Sequence, residues 1–182
     1  MSIDALLASL EASQIAARIR DSLYLFPTLE SLHVLGLTMV FGTIAIVDLR
    51  LLGLASTTRP FSRIALDTLK WTWIAFALTV VTGGLMFITN AAVYYANLAF
   101  RLKMACLALS GVNMLVFERT ALRSVQRWDR EPASPRVGRS VAAISLILWI
   151  SIIFLGRWIG FTTTRATQST EPSINLEDLL PK

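Results

Sequence analysis

The stretch "ESLHVLGLTMVFGTIAIVDLRLLG", residues 30–53, decides how the chain is read. It opens on Glu30, carries the chain's single histidine at His33, and then runs without a formal charge to Asp48 and Arg50. A helix needs about 20 apolar residues to cross a hydrocarbon core of about 30 Å, and this run supplies them. Residues 71–100 and 140–156 contain no charge either. A shorter run, Met104 to Phe117, crosses as well once Arg101 and Lys103 reach back to the interface along their apolar stems. Charged residues make up 16 % of the 182-residue chain, against about 25 % in soluble domains. The pattern predicts an all-α, integral membrane four-helix bundle with spans at about 30–52, 69–90, 100–118 and 140–161.

The flanks read differently. Ile3, Leu6, Leu7 and Leu10 recur at helical spacing among Asp4, Glu11, Arg18 and Arg20. Residues 1–26 are therefore expected to form an amphipathic helix lying on the membrane or on the bundle, with Pro27 punctuating the chain before the transmembrane domain, 27–161. Residues 1–20 lack the basic segment and apolar core of a cleaved signal peptide. Residues 162–182 are polar and rich in Ser and Thr. They are expected to be a flexible tail with a short helical turn at "SINLEDLL".

The net charge of +5 has a topological meaning here. Of seventeen basic residues, seven fall before the first span, in the second connection or after the fourth span. The other ten fall in the first and third connections, six of them in "ERTALRSVQRWDREPASPRVGR". The positive-inside rule then places those two connections in the cytoplasm, and both termini on the outer side of a bacterial inner membrane. No aromatic–basic interleaving of a nucleic-acid module is present, so the bilayer is the expected partner and nucleic acid is not. A lone cysteine, Cys106, excludes an intrachain disulfide. There is no P-loop, dinucleotide fingerprint or hydrolase motif.

Polar residues converge near the outer ends of the spans. Glu30 and His33 are one turn apart on one helix face. Lys103, Cys106, Ser110 and Asn113 share an arc of about 80°, a polar stripe that should face the bundle, since hydrocarbon offers no partner to an Asn or Ser. Arg157 lies at the outer end of the fourth span, and Asn90, Tyr94, Tyr95 and Asn97 in the outer connection. One polar pocket near the outer face is expected to collect all of these, Glu30, His33, Lys103 and Arg157 among them. Thr79, Gly83, Met86 and Asn90 share a face of the second span, and the pair Gly83–Gly84 suits close approach of another helix or of a flat ligand. His33 has three readings: a structural hydrogen-bonding group, a proton relay with Glu30 and Lys103, or an axial ligand to a haem iron. With one histidine, two-histidine ligation would need His33 from each of two subunits. Asp48 and Arg50 are expected to anchor the helix end and pair with loop charges.

"SLHVLGLTMVFGTIAIVDLRLLG" and "FRLKMACLALSGVNMLVFER" resemble a family of small uncharacterised four-span bacterial inner-membrane proteins, over roughly residues 28–160. The layout is more distantly similar to the copper-resistance D membrane proteins and the membrane protoporphyrinogen oxidases, which also carry a His early in one span and a Lys at the start of a later one. That likeness implies haem b or a porphyrin near His33 and Lys103. With His33 as the metal-ligating residue, the outer polar cluster adds Glu30 beside it and Arg157 as a partner for a propionate. Three functions follow as expectations: a haem-binding or redox-associated bundle, a non-catalytic membrane subunit or scaffold whose polar residues only pack helices, or a component of a proton-coupled transporter. A homodimer is the expected assembly.

Overall fold

The computed structural model describes residues 2–131 and 134–168, the last six by their backbone alone, and among these residues it is entirely helical. Four long helices form the bundle. They are α3 (Leu25–Leu52), α4 (Phe61–Thr89), α6 (Leu98–Arg119) and α8 (Arg136–Gln168). Shorter ones join or precede them: α1 (Ile3–Glu11), α2 (Gln14–Asp21), α5 (Ala91–Ala96) and α7 (Val125–Trp128). All four long helices are long and apolar enough to cross a membrane, with windows of mean hydropathy 1.9, 1.8, 1.4 and 2.0 in chain order. Large apolar side chains such as Val34, Leu35, Val80, Val81, Ile147, Ile150 and Phe154 are exposed on the bundle's flanks. In a multi-span protein that surface meets lipid tails, so its exposure carries no hydrophobic cost.

Helix ends follow local rules. Ser2 and Ser13 cap α1 and α2 through their hydroxyls, and Asn97 caps α6 by accepting from the amides of Ala99 and Phe100. Gly53 closes α3 in the left-handed region at φ 76°, and the amides of Gly53 and Leu54 return to the carbonyls of Arg50 and Leu49. Pro27 does not precede α3. It sits in its first turn, where the missing N–H would have had no helical partner. The backbone of α8 continues to Gln168, past the end expected at 161, and "SINLEDLL" lies outside the described residues. The N-terminal segment is two helices, both docked on the bundle. The Glu11 carboxylate accepts from the amide of Ala92, and the Arg20 guanidinium donates to the carbonyl of Thr89.

The most extensive helix contact is α3 against α4, followed by α6 against α8, and α3 against α8 joins the two pairs. Along the bundle, apolar and polar layers alternate. At one end Leu51, Phe61, Phe117, Ala121, Trp128, Val141 and Ala142 form a core that includes the third connection. Near the middle, Val40, Ala75, Trp149 and Ile152 form a second core, with Cys106 and Leu107 packed against it. Between these two cores lie Asp48, Ser110 and Ser145; beyond the second core lie His33, Gly83, Lys103 and Gly156.

Candidate functional site

The layer at the His33 end draws one residue from each long helix, arranged as two side chains lying on two glycines. His33 of α3 lies on Gly83 of α4, where a Cβ would stand 2.8 Å from the imidazole Cε1 and 3.2 Å from Nδ1. Lys103 of α6 lies along Gly156 of α8, its Nζ 3.6 Å from the corresponding Cβ position. Each glycine leaves room for a long polar side chain to enter the bundle. Gly36, one turn beyond His33, brings the same two backbones together, since a Cβ there would be 2.6 Å from Thr79 Oγ1 and 3.3 Å from the Ala75 carbonyl.

Hydrogen bonding sets the state of the ring. His33 Nδ1 is 3.0 Å from the Thr79 carbonyl, which can only accept, so Nδ1 carries a proton and donates it. The Thr82 hydroxyl oxygen, 3.1 Å from Nδ1, is a second acceptor, because its own proton goes to the Leu78 carbonyl at 2.7 Å. In the neutral ring Nε2 is left with its lone pair. Lys103 is half-buried and near enough for its charge to act on His33. Among the described residues no carboxylate is bonded to the Lys103 ammonium.

The remaining candidates stand apart. Glu30 is exposed, and the His33 bonds go to α4 rather than back to it. Its charge reaches Tyr94 of α5, whose phenol is held above its ordinary range by burial first and by the Glu30 carboxylate second. Arg157 is exposed, with its guanidinium over the Phe161 ring of its own helix at 5.4 Å. The reason is rotational. Ser145, Trp149, Ile152, Gly156 and Ile159 follow the helical repeat along one face, and Arg157 stands about 100° round from Gly156. The Lys103–Asn113 stripe does face the bundle. Asn113 Nδ2 donates to the Val141 carbonyl at 3.0 Å, and Ser110 Oγ is buried. Of the glycine pair, Gly83 takes the imidazole and Gly84 has nothing near it. Thr82 and Gly156 were not singled out in the sequence, although Gly156 lies on the same repeat as Trp149 and Ile152.

The contact of ring and glycine yields a testable coupling. Gly83→Ala should cost about 1–3 kcal/mol in the native chain, the usual penalty for overfilling a packed site. In a His33→Ala background the added methyl has room, and the cost should largely vanish. Thermal unfolding of the four proteins in one detergent measures the cycle. Equal penalties in both backgrounds would show that the ring does not occupy the Gly83 face.

Among the described residues no group of three or more His, Cys, Asp or Glu side chains is placed to hold a metal ion. A family model described as a family of unknown function, DUF6644, matches residues 20–162, and the chain belongs to that family. Neither the curated proteins nor the solved structures gave a match.

Proposed function

We propose that this DUF6644 member is a ligand-binding membrane bundle and that the layer of His33 and Lys103 is where it binds. The observation that carries the reading is the half-buried Lys103 ammonium beside an imidazole, with no carboxylate bonded to it among the described residues. A cation held away from water without a counter-charge is costly, and polar groups kept inside a span at that cost tend to serve a site. What would complete the layer is an acceptor from outside the chain: a carboxylate, phosphate or carbonyl oxygen on a molecule that partitions into the bilayer. Lys103 would hold it, and His33 would accept or donate a proton at Nε2. Glu30 and Tyr94 would form the rim. By the bias of basic residues, this end faces outward from a bacterial inner membrane, with both termini on the same side.

Haem b is the specific ligand that the distant likeness to the porphyrin-handling families suggests, and one feature favours it. Nδ1–H is bonded to the Thr79 carbonyl, which would hold the imidazole in place and leave Nε2 to ligate an iron. Haem would supply one-electron chemistry. The chain itself would supply one nitrogen ligand from His33, with Lys103 as a cation for a propionate. The test is an absorbance spectrum of the detergent-purified protein, oxidised and then dithionite-reduced, with pyridine-haemochrome quantitation. A Soret band and a reduced α-band, both lost in His33→Ala, are expected for the haem reading. A content of about one haem to two chains would indicate a homodimer sharing it. A colourless protein, expressed with ample haem, would overturn the haem reading. If Lys103→Met then also left the protein's co-purifying lipids and its stability unchanged, the layer would be packing alone, and the chain a non-catalytic membrane subunit.

A further inference from the structure

The second polar layer, between the two apolar cores, holds its own unmet groups. Asp48 is 5 % exposed. The Ser145 hydroxyl of α8 donates to its carboxylate, and Oδ2 has no hydrogen-bond partner. Ser110 Oγ of α6 is likewise buried and without a partner. The order of layers sets these residues at one height. Asp48 falls between Val40 and Leu51 on α3, Ser110 between Leu107 and Phe117 on α6, and Ser145 between Val141 and Trp149 on α8. Buried polar atoms are nearly always paired, so two unmet oxygens in one layer mark a place where a partner belongs.

Among the described residues, the neighbouring helices provide no counter-charge. Arg50, two residues along α3, sends its guanidinium to the carbonyls of Arg59, Asp129 and Glu131. Asp67 and Lys70 of α4, Glu118 and Arg119 of α6, and Arg136 and Arg139 of α8 are all exposed. Lys103 belongs to the other polar layer, across the core of Val40, Ala75, Trp149 and Ile152.

We infer that this layer binds one small monovalent cation, a proton or a sodium ion, on Asp48, with Ser110 and Ser145 as its neutral oxygen partners. A proton on Oδ2 neutralises the carboxylate and makes that atom a donor, which Ser110 Oγ, unbonded to it in the structure, accepts after a small closure of the layer, while Ser145 continues to donate to the other carboxyl oxygen. A sodium ion, a hard cation, takes Oδ2 and the hydroxyl oxygens as ligands. Either one removes the uncompensated buried charge. The site is independent of the His33–Lys103 layer and stands or falls separately from it.

Infrared difference spectroscopy on the full chain, native against Asp48→Asn, tests this in sodium-free buffer and after sodium addition. A bound proton gives a carboxylic-acid carbonyl band that shifts in D2O, is lost entirely in Asp48→Asn, and ignores sodium. A bound sodium ion gives carboxylate bands that move on sodium addition, together with a thermal midpoint that rises with sodium in the native protein and not in Asp48→Asn. Ser110→Ala, a near-isosteric change, should shift the acid band in the first case and weaken the sodium response in the second. Carboxylate bands that are indifferent to sodium, with no acid band, would overturn the inference. An unaltered response in Ser110→Ala would remove Ser110 from the site.

Discussion

Arg50→Ala should be among the most destabilising single substitutions in the chain, at about 3–5 kcal/mol. The side chain is 0 % exposed. Its Nε donates to the Arg59 carbonyl at 3.0 Å, and Nη2 donates to the carbonyls of Asp129 at 3.3 Å and Glu131 at 2.9 Å. One guanidinium thus ties the end of α3 to both connections on that side of the bundle. Hydrogen bonds from a charged donor are worth about 1.5–3 kcal/mol each, and truncation removes them from these carbonyls. Around it Asp129 accepts from the amide of Ser62 at 2.7 Å and from its hydroxyl at 2.9 Å, and so caps the first turn of α4. The Ser134 hydroxyl donates to the Leu51 carbonyl at 2.8 Å. Arg50→Lys should recover little, because an ammonium cannot span three carbonyls with the geometry of a planar fork. The measurement is the thermal midpoint in detergent together with limited trypsinolysis between Arg119 and Arg139. A native midpoint with a protected loop in Arg50→Ala would refute the assignment.

Phe61→Ala should cost a similar amount, about 3–5 kcal/mol, by a different route. Phe61 is 1 % exposed at the first position of α4. Its ring is 5.9 Å from Phe117 at an interplanar angle of 66°, and 5.1 Å from Trp128 at 45°. Removing it empties the point where α3, α4, α6 and the third connection meet, and forfeits two aromatic contacts of about 0.5–1.5 kcal/mol each. Phe154→Ala is the matched control. That ring is 60 % exposed on the flank of α8 and touches Trp158 of the same helix, so its loss should cost less than about 1 kcal/mol. Unfolding midpoints for the two variants that coincide would show that lipid-facing and interior aromatics contribute alike, contrary to the layered packing.

The stripe on α6 shows how far a pattern reaches. A spacing of about 100° per residue is enough to say that Lys103, Cys106, Ser110 and Asn113 share a face and that the face turns inward. It says nothing of what each meets: Gly156, the second apolar core, an unmet layer and the Val141 carbonyl, respectively. The same limit separates Lys103 from Arg157. Both sit near the His33 end of a span; the rotation of α6 about its axis turns Lys103 toward His33, and that of α8 turns Arg157 onto Phe161. The third connection is a sharper case. Its arginines read as an orientation signal, whereas Asp129, Trp128 and Ser134 build a folded plug over the bundle's end. That plug depends on pairings across about 70 to 80 residues, which leave no periodic trace in the chain.

By itself, the sequence determined that this is an all-α protein with four membrane-crossing helices in a known order, because span and hydropathy are local quantities compared with one fixed length, the thickness of the bilayer. Tertiary structure alone decided that His33 bonds to α4 rather than to Glu30, that Gly83 and Gly156 make room for an imidazole and an ammonium in one layer, and that Asp48 lies buried opposite Ser145. Those outcomes depend on the register and rotation of one helix against another. Both are set by the summed packing of residues far apart in the chain, to which no single stretch has access.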